Sequence, residues 1–126
     1  MKGMNVFMKN DLTTLIHLLN NFDNSIENFK TVLNIIPKID FLLPFNDNHL
    51  VELIAGDNTY IPLFTSKSQI TDVNYTRLDT VKLEVVVRDI FKNPKFRAIT
   101  INPFTHDFII TNNTINLINL NRMETK

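Results

Sequence analysis

The stretch TYIPLFTSKSQI, Thr59 to Ile70, contains the point at which an apolar, strand-like run becomes polar. Two similar runs precede it, IDFLLPF and HLVELIA, and the polar tripeptides NDN and GDN separate the three runs. Short apolar runs with tight polar turns are typical of consecutive antiparallel strands. The sequence therefore predicts an antiparallel meander from Ile39 to Thr65. Pro44 and Pro62 should lie at edges or bulges, because proline cannot donate to a ladder.

The first third of the chain carries two segments with the apolar period of amphipathic helices. In NDLTTLIHLLNNF the apolar residues recur at intervals of three and four, and Asn10 or Asp11 suits the N-cap. DNSIENFKTVLNIIP repeats the period after a polar break at 20–25, and Pro37 predicts its end. We expect one apolar face on each helix, formed by Leu12, Leu15, Ile16 and Leu19 in the first and by Ile26, Phe29, Leu33 and Ile36 in the second.

The chain beyond the meander predicts a further strand, a helix, a hairpin and a last helix. RLDTVKLEVVVRDIFKN first alternates and then takes a helical period, which predicts a strand to about Leu83 and then a helix that Pro94 stops. FRAITINPF and HDFIIT predict a hairpin around 102–106. NNTINLINLNRM predicts a helix capped by Asn112 or Thr114.

Together these elements predict an α+β fold with a mixed, mostly antiparallel sheet and helices packed mainly on one face. The meander runs hold polar positions among the apolar ones, which favours one buried and one solvated face. No linker or internal repeat divides the sequence. We therefore expect a single domain, 1–126, with two leading helices in 1–36 and an α+β core in 37–126.

Composition excludes several classes of site and partner. The chain has no Cys, which removes disulfides, thiolate chemistry and Cys-based zinc sites, and fits a reducing, cytoplasmic location. Lys and Arg total 13, Asp and Glu also total 13, and the charges are scattered, so no basic patch predicts nucleic-acid binding. No run approaches the roughly 18 apolar residues of a membrane span. We expect no signal peptide and no membrane partner, and homo-oligomerisation stays open.

Three motifs in order carry a family resemblance: YIPLFTSKSQI (60–70), TVKLEVVVRDIF (80–91) and AITINPFTHDFIIT (98–111). Together they resemble the N-terminal domain of the SseB family, whose proteins are named for enhanced serine sensitivity. The resemblance covers roughly Ile39 to Leu120 and implies a bacterial-type α+β domain. Longer members carry a second, C-terminal domain, for which 126 residues leave no room. The resemblance implies a binding or regulatory module and assigns no catalytic residue.

Ser66, in the Phe-Thr-Ser motif, has two interpretations. As a nucleophile it would need a nearby base, and His106 with Asp107 could complete a triad if the two loops met. Adjacent His and Asp side chains point to opposite faces of an extended chain, which argues against that set. As an N-cap, Ser66 would form a capping box with Gln69, in the pattern S-x-x-Q. The sequence favours the cap.

The sequence predicts no metal or cofactor site. His17, His49 and His106 lie far apart and lack a paired spacing such as H-E-x-x-H. The aspartates of the turns lack the D-x-D-x-D-G pattern of calcium loops. With only Gly3 and Gly56, no glycine-rich phosphate loop can form.

The two polar-ended loops form the candidate binding site. We expect a pocket with a few convergent polar groups, formed by Phe64, Thr65, Ser66, Asn102, Pro103, Phe104 and His106. The leading function is an SseB-like binding or regulatory module that acts through protein or small-ligand contacts. One alternative is a small hydrolase or transferase that uses the Ser66 and His106 loops. Another is an immunity- or chaperone-like partner protein that docks through the leading helices.

Overall fold

A computed structural model of the chain describes residues 2–21 and 25–124. The helices are α1 (Lys2–Asn20), α2 (Ile26–Ile35), α3 (Leu83–Val86) and α4 (Asn112–Glu124). The strands are β1 (Phe41–Asn46), β2 (His49–Leu50), β3 (Leu53–Ala55), β4 (Asn58–Leu63), β5 (Arg77–Val81), β6 (Phe96–Ile101) and β7 (Phe108–Ile110). Short 3₁₀ turns cover Ile36–Lys38 and Lys67–Gln69, and a π turn, Val87–Phe91, extends α3.

The strands form two sheets, with the order β2-β1-β5 in the first and β3-β4-β6-β7 in the second. Neighbouring strands are antiparallel except β4 and β6, which run parallel. An isolated antiparallel bridge joins the sheets, where Leu42 and Phe64 exchange backbone hydrogen bonds of 2.8 and 3.0 Å. The predicted α+β class, with mostly antiparallel strands, is confirmed.

The predicted single meander is wrong, because HLVELIA divides into β2 and β3 and each half pairs in a different sheet. Asp47 and Asn48, both at positive φ, make the tight turn between β1 and β2. Val51 then donates to the Pro44 carbonyl at 3.0 Å. Proline has no N–H with which to return that bond, so the β1–β2 ladder ends there. The chain leaves the first sheet at this point, and β3 begins the second.

The positions of the two strand prolines also differ from the prediction. Pro44 lies in β1, the central strand of the first sheet, and Pro62 lies in β4, an inner strand of the second. Each lies beyond the last residue pair between its strand and the short edge strand beside it, β2 or β3. Proline is tolerated there because the edge strand has ended and requires no ladder bond from it.

One hydrophobic core packs the helices against the sheets. The buried face of β4 and β6 carries Ile61, Leu63, Ile99 and Ile101. The same core includes Leu15 and Leu19 of α1, Val32, Leu33 and Ile35 of α2, and Phe41 and Leu43 of β1. Successive residues of a strand face opposite ways, so Ile110 is fully buried whereas its neighbour Ile109 is 41% exposed. The second sheet therefore has one face in the core, and its other face is open to solvent at Ile109, whereas Ala98 and Thr100 of β6 are covered there.

The two leading helices are present, with a different start for the first. α1 begins at Lys2, so neither Asn10 nor Asp11 caps it. The helix continues through KGMNVFMK, which contains no proline to interrupt it. α2 ends at Ile35, just before the turn that holds Pro37, as predicted. The predicted apolar face of α2 is wrong at its first position, since Ile26 is 75% exposed.

The second half of the chain follows the predicted order of elements. The strand-to-helix change falls between β5 and α3, and β6 and β7 pair as the predicted hairpin. The cap of α4 is neither Asn112 nor Thr114. Thr111 occupies that role, since its Oγ1 accepts from the backbone N of Thr114 at 3.4 Å.

Candidate functional site

Asn102, immediately after β6, joins the two loops that the sequence singled out. Its backbone takes the left-handed conformation (φ 49°), which asparagine tolerates, and its side chain is fully buried. Oδ1 accepts from the backbone N of Thr65 at 3.0 Å, and Nδ2 donates to Oγ1 of Thr65 at 2.9 Å. Nδ2 also lies 3.0 Å from Nδ1 of His106. Thr65, Asn102 and His106 therefore form one hydrogen-bonded unit, which we call the amide hub.

The amide hub determines where His106 carries its proton. Because Oδ1 of Asn102 accepts from the Thr65 N–H, the amide nitrogen faces His106 and donates to Nδ1. Nε2 then carries the proton and donates to Oδ1 of Asn20 on α1 at 2.6 Å. Partial burial lowers the pKa of His106 below its ordinary value, in keeping with a neutral ring. The hub thus ties the loop after β6 to α1.

Ser66 begins the 3₁₀ turn at Lys67–Gln69 but does not cap it with its hydroxyl, so the predicted capping box is wrong. The backbone N–H of Gln69 already donates to the carbonyl of Ser66 at 3.1 Å, the bond that a 3₁₀ turn makes itself. The Ser66 hydroxyl instead lies 2.9 Å from Oγ of Ser68. The side chain of Gln69 accepts from Thr105 at 2.5 Å, which adds a second link between the two loops.

The arrangement of a serine hydrolase is not formed by these loops. The Ser66 hydroxyl pairs with Ser68, and both ring nitrogens of His106 bond to asparagines. Oδ1 of Asp107 accepts from Oγ1 of Thr100 at 2.9 Å. In the described residues, therefore, neither Ser66 nor Asp107 is hydrogen-bonded to His106, and the loops meet through Thr65.

Two aromatic rings also connect the loops. Phe64 is fully buried and stacks on Phe104, with ring centroids 6.1 Å apart and an interplanar angle of 27°. Phe104 itself is 37% exposed. A buried ring thus supports an exposed one, and this fixes the orientation of Phe104 at the surface.

Two grooves are lined by members of the amide hub or by their neighbours in the chain. The helix groove, between α1 and the turn at 65–69, has a volume of about 490 Å³ and is lined by Leu12, Thr13, Ile16, His17, Asn20, Thr65, Ser66 and Gln69. The sheet groove, on the open face of the second sheet, has a volume of about 350 Å³ and is lined by Leu53, Ile54, Ala55, Tyr60, Thr100, Pro103, Phe104, Asp107 and Ile109.

The structure brings the seven predicted binding residues together in one region but divides them between these surfaces. Thr65 and Ser66 line the helix groove, Pro103 and Phe104 line the sheet groove, and Phe64, Asn102 and His106 are in the lining of neither. Sequence reasoning missed the contribution of α1 to the helix groove. The available signal was the polar series at Thr13, His17 and Asn20, which recurs at helical intervals beside the apolar face.

In comparisons with the profiles of known protein families, with characterised proteins and with solved structures, nothing matches the chain. Among the described residues, no helix has the length and apolar character to cross a membrane. The same residues contain no group of three His, Asp or Glu side chains placed to hold a metal ion.

Proposed function

We propose that this chain is an SseB-like binding module and that the helix groove holds a small neutral ligand. The observation that carries the proposal is the groove itself, whose volume of about 490 Å³ lies in the range of small-molecule sites. Its lining combines apolar side chains from α1 with hydroxyl and amide groups from both sides. The family resemblance supports binding over catalysis, since it assigns no catalytic residue.

The chemistry of the lining favours an uncharged ligand. None of the eight lining side chains is a carboxylate, an ammonium or a guanidinium, and His17 is the one titratable group among them. A charged group that enters such a groove loses water and gains no opposite charge. The aliphatic part of a ligand with amide or hydroxyl groups would contact Leu12 and Ile16, and its polar groups would bond to Thr13 of α1 and Ser66 of the turn.

Two of the polar lining residues are held by the amide hub. Thr65 is fixed by both atoms of the Asn102 amide, and Asn20 is fixed by His106. Polar groups that are already oriented lose less conformational entropy when a ligand binds. This supports the helix groove as a preformed site.

The composition supports a cytoplasmic location for this module. The absence of Cys fits the cytoplasm, and the balanced, scattered charges fit a protein without a nucleic-acid partner. We therefore place the module in the cytoplasm and expect its retention on a nucleic-acid column to be weak.

The test is a titration of the ¹⁵N-labelled chain with N-acetyl-leucine amide, which is neutral and carries one aliphatic group and two amides. We expect chemical-shift changes at the backbone amides of Thr13, Asn20 and Ser66. N-acetyl-leucine, an anion, and leucine amide, a cation, should bind about tenfold more weakly, because each must bury an unpaired charge. Absent or scattered shift changes with the neutral probe would reject the proposal.

A matched pair of variants controls the titration. Ile16→Glu places a charge inside the helix groove, whereas Ile26→Glu places it on α2 at a position that is 75% exposed and outside the groove. We expect the first variant to lose the probe and the second to bind it as the unmodified chain does. Equal binding of the neutral probe by both variants would show that the probe binds outside the helix groove.

A further inference from the structure

Apolar side chains are contiguous on the open face of the second sheet. Six large hydrophobic residues are notably exposed, and two of them, Ile109 (41%) and Phe104 (37%), present their side chains to the sheet groove beside Tyr60. Leu53, Ala55 and Pro103 add to the same lining. Contiguous apolar surface of this kind marks interaction sites, whereas scattered exposed residues are ordinary.

The sheet groove crosses the strands and is built on rigid elements. Its lining comes from β3, β4, β6 and β7, so it spans all four strands of the second sheet. Leu53 and Tyr60 are directly paired across β3 and β4, and Phe104 is held by its stack on buried Phe64. A surface fixed in this way needs little reorganisation to bind.

The charge of the sheet groove has one sign. Asp107 is its only charged lining residue, and Oδ1 of Asp107 accepts from Thr100 at 2.9 Å. The backbone N of Asp107 donates to the carbonyl of Asn102 at 2.8 Å, which fixes the residue at the end of the loop. Among the described residues Asp107 takes part in none of the ion pairs. An apolar surface with one oriented carboxylate complements an apolar group that carries a positive charge.

The extent of the sheet groove favours a polypeptide as its occupant. The groove crosses four strands, and Ile109 and Phe104 on it are partly exposed, so an extended segment can cover both side chains at once. We propose that the sheet groove docks a segment of a partner protein in which Lys or Arg lies beside a bulky apolar residue. The apolar side chain covers Tyr60, Phe104 and Ile109, and the cation pairs with Asp107.

The test is selection of random linear peptides, displayed on phage, against the full chain. We expect the selected sequences to combine Lys or Arg with Leu, Ile, Phe or Met at neighbouring positions. Selected peptides, synthesised and titrated, should lose about fivefold in affinity for Asp107→Asn and their binding should weaken with salt. Asparagine keeps the backbone at φ 50° and still accepts from Thr100, so this variant removes only the charge.

Ile109→Asp should lower the affinity about tenfold, because it replaces exposed apolar surface in the groove with a charge. Ile26→Asp and Asp72→Asn are the matched controls, since both residues are exposed and lie outside the groove. Selection of no peptides, selection without the basic and apolar pair, or equal binding by Ile109→Asp and Ile26→Asp would overturn the proposal. Self-association that Ile109→Asp abolishes would also overturn it, because the occupant would then be a second copy of the chain.

Discussion

Ser66 and Ser25 each precede a helical turn, yet they bond differently. Oγ of Ser25 accepts from the backbone N of Asn28 at 3.1 Å and caps α2, whereas the Ser66 hydroxyl pairs with Ser68. The S-x-x-Q pattern at Ser66 matches a capping box in sequence, but the turn that follows is a single 3₁₀ turn. A sequence pattern specifies which groups are able to cap, and the length of the helix decides whether they do.

This difference predicts unequal effects of two equivalent substitutions. Ser25→Ala should lower the free energy of unfolding by about 1 kcal/mol, the usual cost of losing an N-cap. Ser66→Ala should change it by less than about 0.5 kcal/mol, as for most surface substitutions. Urea unfolding of both variants measures the two values. A larger loss for Ser66→Ala than for Ser25→Ala would contradict the geometry at Ser66.

His106 predicts a dependence of stability on pH. The pKa of His106 is lowered from 6.5 by burial, so the unfolded chain takes up this proton at a higher pH than the folded chain does. Stability is therefore fully present above about pH 6.5 and falls as the pH drops through the folded pKa. A protonated ring would also set a second N–H against the Asn102 amide.

The measurement compares unfolding free energies of the unmodified chain, His106→Gln and His49→Gln from pH 8 downward to about 5. His49→Gln removes an exposed histidine of β2 and should follow the unmodified chain. His106→Gln should show a flatter decline over the same window. Parallel curves for all three proteins would show that the amide hub has no part in acid sensitivity.

At the scale of elements, the β1–β2 turn depends on two consecutive residues in the left-handed region. Asp47 and Asn48 have φ values of 50° and 73°, a conformation that residues with a Cβ seldom adopt. The Asn48 side chain also accepts from Arg77 at 3.2 Å. The turn sets the register of β2 on β1, and through it the point at which Pro44 ends the ladder.

Two variants of Asn48 separate the backbone effect from the side-chain bond. Asn48→Gly and Asn48→Ala both lose the bond to Arg77, but only glycine adopts positive φ without strain. We expect the alanine variant to be less stable than the glycine variant by about 1 kcal/mol. Thermal or urea unfolding measures this difference. Equal stability of the two variants would mean that residue 48 does not have a positive φ in this turn.

The elements differ in how well the sequence predicts them. The strand-to-helix change near Leu83 and the β6–β7 hairpin follow from local period and turn residues, and both are found. The division of HLVELIA depends on a proline in a different strand, and the parallel pairing of β4 with β6 depends on residues far apart in the chain. Long-range pairing of this kind has no local signature, so the meander was the natural but wrong prediction.

The candidate site shows the same limit. The sequence identified Thr65, Asn102 and His106 as loop residues that could meet, and the amide hub joins them. It did not identify Asn20 of α1, since no local pattern connects that residue with a loop more than half the chain away. The partner of a polar side chain on a helix face can be identified only when the packing of the helix is known.

At the scale of the whole molecule, the two sheets share one core, and this predicts cooperative unfolding. Phe41 and Leu43 of the first sheet belong to the same buried cluster as Ile61 and Ile99 of the second. The chain has two tyrosines and no tryptophan; Tyr60 lies in the second sheet and Tyr75 just before β5 of the first. Each tyrosine can therefore report on one sheet.

Tyr60→Phe and Tyr75→Phe each leave a single fluorescent reporter. We expect the fluorescence transition of each variant in urea to coincide with its own transition in far-UV circular dichroism, as two-state unfolding requires. A fluorescence midpoint that departs from the circular dichroism midpoint in either variant would mean that one sheet unfolds without the other. Each sheet would then have a core of its own.

The strand order also has a consequence for the chain while a ribosome releases it. The first sheet has all its strands once Val81 has emerged, whereas β4 must wait for β6, its parallel neighbour across a long crossover. Until then β4 presents an open edge beside the apolar side chains of Ile61 and Leu63. Pro62 does not block that edge, because the backbone groups that point to it belong to Ile61 and Leu63, and the Leu63 carbonyl accepts from Asn102 in the finished sheet. The nascent chain therefore carries an unpaired strand edge, able to pair with its neighbours on the same messenger, until β6 is made.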